Sequence, residues 1–176
     1  MSVANPTRLR KILNLMLDKY GEISIANGFL SDVDRVDGSY LDYRDMMKFP
    51  VISVYFGEVR ISSNKDDHNS VRTSGDYYAN VYAVGIISGT SSKTATRVEM
   101  SQRQEKVLNL MNDLFAKTME MATAYVNDSN YAFVIDVLNR PPKVYPVPDF
   151  LNQQDAVPVI CEFVIKIHNI THATQA

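Results

Sequence analysis

The stretch "GIISGTSSKT", residues 85–94, decides between two folds. In one reading it is a strand that runs into a glycine loop and then a helix opening on Lys93-Thr94. That is the layout of a phosphate-binding loop, and "FVID" (133–136) would then supply Asp136 to hold magnesium. The loop fails the chemistry of this reading. A phosphate cradle needs a glycine directly before the lysine, so that consecutive backbone N–H groups can curl around the anion. Here Ser92 precedes Lys93, and Gly89 comes three residues too early. The Cβ of a serine resists the positive φ values that glycine adopts freely. A simpler reading is a strand end, a Gly-Thr-Ser-Ser turn, and a helix N-terminus capped by Ser92 or Thr94.

The flanking sequence supports the simpler reading. A phosphate-loop domain is a parallel sheet in which each strand returns through a crossover helix. The strand at "YYANVYAVGIIS" (77–88) is preceded by another strand, "VISVYFGEVRI" (51–61), both rich in β-branched and aromatic residues. Only two convincing helices accompany at least four strands. The first spans about 7–20, where Leu9, Ile12, Leu13, Met16, Leu17 and Tyr20 form one apolar face. Asn5 and Pro6 mark its start and Gly21 its end. The second spans about 96–125. Its apolar stripe is Val107, Leu108, Met111, Leu114, Phe115, Met119 and Ala122, with Arg103, Lys106, Asp113, Lys117 and Glu120 on a solvated charged face.

Between the first helix and residue 50, "ISIANGFLSDVDRVDGS" reads as short extended pieces with turns at Asn27-Gly28 and Asp37-Gly38. "YAFVIDVLNR" (131–140) reads as a further strand, with Asp136 facing solvent or a neighbouring subunit. Residues 140–156, "RPPKVYPVPDFLNQQDA", read as a stiff, proline-punctuated connection. The last strand, "VPVICEFVIKIHN" (157–169), alternates: Val159, Cys161, Phe163, Ile165 and Ile167 point one way, Glu162, Lys166 and His168 the other. The expected fold is therefore α+β. It has a mostly antiparallel sheet of about four or more strands, and an N-terminal helix and one long helix pack on one face.

Length and composition bound the function. A chain of 176 residues fits a single domain over 1–176. A net charge of −2 argues against a nucleic-acid-binding surface, which would show clustered Lys and Arg. The single cysteine, Cys161, rules out an internal disulfide and lies on the apolar face of its strand, as a packed thiol does. No run approaches the ~18 apolar residues of a membrane span. Residues 62–76, "SSNKDDHNSVRTSGD", form an extended polar arm. Asp66-Asp67-His68 within it is the only local cluster of metal-ligating types, and no distant second histidine has an obvious position beside it. No metal, cofactor or catalytic constellation is expected. Asp66, Asp67, His68 and Arg72 are instead candidates for a subunit or tube interface.

The order of these elements resembles the tail terminator proteins of tailed bacteriophages and the related tail-completion and neck ring proteins. The likeness runs through the N-terminal helix, "NGFLSDVDRV", "FPVISVYFGEV" with Phe49-Pro50-Val51-Ile52, a second long strand, a long helix and an alternating last strand. The resemblance implies a homo-hexameric ring, assembled in the host cytoplasm and carried in the virion tail or neck. Such a ring caps the tail tube protein and offers a dock for a head-completion or neck protein, while genomic DNA passes through its lumen without specific binding. It also implies no enzymatic activity and no cofactor. Near-neutral charge suits such a lumen, because each basic phosphate contact would add affinity for DNA. The reading from another class is a small nucleotide- or ligand-binding α+β protein that uses Lys93 and Asp136.

Overall fold

A computed structural model describes residues 6–38, 49–61, 77–88, 97–124, 133–147 and 156–167. Helix α1 (Pro6–Gly21) leads through a 3-10 turn (Ile25–Asn27) to β1 (Arg35–Asp37), β2 (Val51–Ile61) and β3 (Tyr77–Ser88). Helix α2 (Arg97–Ala124) follows, and then β4 (Phe133–Ile135), β5 (Lys143–Pro146) and β6 (Ala156–Ile167). The strands form one sheet in the order β1-β2-β3-β6-β4, and β5 also pairs with β6. Every pairing is antiparallel except β1 with β2. The fold is α+β, as expected, with an N-terminal helix and a long helix.

The sheet's two faces follow from the strand period of two. In β6 the odd-numbered residues Val157 through Ile167 are all buried, together with Ala79, Val81 and Ala83 of β3 and Ile52 and Val54 of β2. Against this face lie Ile12, Met16 and Tyr20 of α1 and Val107, Leu110, Leu114 and Met121 of α2, all in one core. Gly85 of the opening stretch sits under α2. A Cβ there would come within 2.6 Å of Leu110 Cδ2. The glycine lets the helix lie close on the sheet.

Three readings of the sequence need correction. The segment 131–140 is not one strand: β4 ends at Ile135 and a turn follows. The connection 140–156 is not only a linker, because residues 143–146 form β5 and pair with Glu162 through Val159. The apolar arc of α2 is rotated from the expected stripe. Leu110 and Met121 are buried, while Leu108 and Phe115 are 56% and 44% exposed. Asp113 and Lys117, read as solvated, are 1% and 2% exposed, because partners in the α1–β1 connection draw them inward. Lys93, the arm 62–76 with Asp66, Asp67, His68 and Arg72, and His168 lie outside the described residues.

Candidate functional site

The polar groups of the interior lie along the seam between α2 and the segment that leaves α1. The Lys117 ammonium donates to Glu22 Oε2 and to Glu120 Oε2, each at 2.8 Å, and lies 5.0 Å from the Phe29 ring centre. Lys19 closes the other side of Glu22 at 2.6 Å. Hydrogen bonds from Lys117, and then from Lys19, hold the Glu22 carboxyl below its usual range. Four residues earlier on α2, both carboxylate oxygens of Asp113 accept the Leu30 backbone N–H at 3.1 Å. Asp113 and Lys117 are one helical turn apart, so one edge of α2 grips the 22–30 segment at two points.

Deeper in the seam, Tyr20 Oη and Thr118 Oγ1 are 2.7 Å apart. Thr118 Oγ1 also donates to the Leu114 carbonyl, and Cys161 Sγ lies 3.4 Å from it. Burial pushes the Cys161 thiol up to about 11 and the Tyr20 phenol well above its usual value. A thiol held protonated at neutral pH is no nucleophile, so this cluster is structural in chemistry. Among the described residues no three His, Cys, Asp or Glu side chains come together to hold a metal ion.

Function has more to work with on the surface. Opposite the helices, the second face of the sheet carries a row formed by Tyr55, Tyr82, Glu162 and Lys143, aligned across β2, β3, β6 and β5. The rings of Tyr55 and Tyr82 stack with centroids 5.5 Å apart and planes at 22°. Gly57, in the bulge where the β2–β3 register shifts, makes room for this stack, since a Cβ there would stand 2.6 Å from the Tyr82 ring. The next row brings Ser53, Val84, Ile160 and Tyr145 into line. Tyr145 Oη reaches Glu162 Oε2 at 3.5 Å, and partial burial, with the Glu162 charge second, raises its pKa. At one end Val51, Ile86 and Ala156 form a small apolar cluster with Phe49 and Val84.

A second surface lies at the β4–β5 edge. The Asp136 N–H donates to the Val164 carbonyl and the Val147 N–H to the Pro158 carbonyl, so the edge strand pairs with β6 on either side of an excursion between them. Asp136 Oδ1 accepts from the Asn139 backbone N–H at 3.3 Å and from Asn139 Nδ2 at 3.0 Å, and the Asp136 carbonyl accepts from the Arg140 N–H. Asp136 is thus a turn-building aspartate. Arg140 lies over the Tyr78 ring at 5.8 Å, and Leu138 at the tip is 95% exposed. Leu108 and Phe115 share one flank of α2, two turns apart.

These positions bear on the nucleotide reading. Strand β3 ends at Ser88 opposite Ala156, whereas Asp136 binds Val164, eight residues along β6. At about 3.3 Å per residue that is roughly 26 Å. Asp136 therefore stands far from the strand end that leads toward Lys93. The buried roles of Asp113, Lys117 and Thr118 had no signal in sequence, since their partners are far away along the chain. Two of the tyrosines did carry one: Tyr55 and Tyr82 fall at off-core positions of their strands. Comparison with protein-family models and with curated proteins finds no match to this chain.

Proposed function

We propose that this chain is a structural ring protein of a tailed bacteriophage, closing the tail tube at its head-proximal end and docking the neck. The observation that carries the reading is the separation of two interaction-prone surfaces. One is the tyrosine-lined sheet face of Tyr55, Tyr82 and Tyr145, and the other is the α2 flank of Leu108 and Phe115, on the helix side. Tyrosine and phenylalanine are enriched in protein interfaces, and exposed apolar side chains grouped on one flank mark them. Two different surfaces on one subunit suit two different partners, one on either side of a ring.

In this reading the chain associates with itself as a hexamer, with a tail tube protein on one side and a head-completion protein on the other. It lies in the virion tail, passes DNA through its lumen and catalyses nothing. Native mass spectrometry and negative-stain imaging of the purified protein test it. A closed ring of six copies supports the proposal, and a chain that binds ATP or GTP as a monomer counts against it. The nucleotide alternative through Lys93 and Asp136 gains nothing from the position of Asp136, whose carboxylate is committed to a turn.

A further inference from the structure

Leu138 is the most exposed large apolar side chain among the described residues, and it is not carried on a slack loop. The Asp136–Asn139 hydrogen bonds shape the turn beneath it, Arg140 is laid against Tyr78, and Pro141-Pro142 stiffen the return to β5. A rigidly presented leucine loses little conformational freedom when it is buried by a partner. It belongs to the β4–β5 edge of the sheet.

The structure also holds a cavity of about 220 Å³ toward the opposite edge. Leu30, Phe49, Pro50 and Ile87 supply its apolar lining, and Asp32 and Lys106 stand at its sides. Sites for small molecules run to ~300–1,000 Å³, so this one suits a single side chain better than a cofactor. Within one molecule the two features cannot meet. Ile87 pairs with Val157, six residues along β6 from Phe163, beside which the turn leaves the edge, and that is roughly 20 Å at about 3.3 Å per residue. The knob is on the β4 side of the strand order, and the cavity is formed at the β2 start and the β3 end.

We infer that Leu138 of one copy enters the Leu30–Phe49–Ile87 cavity of the next, and that Arg140 beside the knob meets Asp32 beside the cavity. The occupant is a second copy of this chain, because a leucine knob flanked by Asp136 and Arg140 and an apolar cavity of side-chain size flanked by Lys106 and Asp32 occur on the same molecule some distance apart, and each side brings one charge of either sign to the other. Such a contact is head-to-tail: each copy uses its knob on one neighbour and its cavity on the other. The inference rests on the ring reading and gives that ring its repeating contact.

The test mixes two disabled chains. Leu138→Asp removes the knob at a position where the fold buries nothing, and Ser88→Tyr fills the cavity from the exposed end of β3. Analytical ultracentrifugation of wild-type protein should show species larger than dimers, and each variant alone should lose them. A one-to-one mixture of the variants should yield dimers and stop there, since one working knob and one working cavity remain per pair. Assembly of Leu138→Asp like wild type overturns the contact, and so does a mixture that stays monomeric while wild type assembles. A wild-type chain that is monomeric at every concentration also overturns it, while tail lengths in phage lacking the gene judge the ring reading separately. Circular dichroism confirms that both variants are folded.

Discussion

Lys117 Nζ lies 2.8 Å from Glu22 Oε2, although the two residues are 95 apart in sequence. The lysine is almost wholly buried, whereas the side chains of Glu22 and Glu120 retain 41% and 51% of their exposure. Breaking the cluster should therefore cost different amounts from its two sides. Lys117→Met leaves carboxylates that water can solvate, and is expected to stay within about 1 kcal/mol of wild type. The double variant Glu22→Ala/Glu120→Ala strands a buried ammonium and should lose about 3–5 kcal/mol in urea denaturation. Equal losses would show that the lysine does not sit in the interior.

The Tyr20–Thr118 pair gives a second test. Thr118→Val keeps the shape but leaves the Tyr20 hydroxyl buried without its partner, at an expected cost of about 1–3 kcal/mol. Tyr20→Phe/Thr118→Val removes both polar groups and should recover part of that loss. A double-mutant cycle with no coupling would contradict the hydrogen bond.

Alkaline pH should expose the same cluster. The folded Cys161 thiol titrates at about 11, against 9.0 for an unperturbed thiol, because burial disfavours the thiolate. A raised acid contributes stability that is complete below the unfolded value and is lost as pH rises toward the folded one. Stability should accordingly fall between pH 9 and about 11, and less steeply in Cys161→Ala. Labelling of Cys161 by a thiol reagent at pH 8 should wait on unfolding, and rapid labelling of native protein would place the thiol elsewhere.

The register of β6 predicts a contrast between adjacent residues. Phe163, fully buried against the core, should cost about 3–5 kcal/mol when changed to alanine. Glu162 lies on the tyrosine face, and Glu162→Ala should cost far less. Comparable losses would mean that the strand is shifted by one residue.

β6 was legible because its alternation is a local property, fixed by side chains two residues apart. The apolar face of α1 from Leu9 to Tyr20 was legible for the same reason. The tilt of α2 was not. Periodicity favoured Leu108 and Phe115, but the helix turns instead toward Leu110 and Met121, bringing Asp113 and Lys117 to Leu30 and Glu22. No local pattern records a partner 83 or 95 residues away. β5 hid behind its prolines, which a sheet edge tolerates where no ladder N–H is needed. Asp136 looked like a strand aspartate because its role depends on Asn139 folding back onto it.

The central claim is that this chain stops a growing tail tube, and the most direct measurement is the distribution of tail lengths. Lysates of phage lacking the gene are imaged by negative-stain electron microscopy, with and without the chain supplied in trans. Overlong, headless tails that return to uniform length and joined heads on complementation are the predicted result. Tails of normal length on intact particles without the chain would contradict the account.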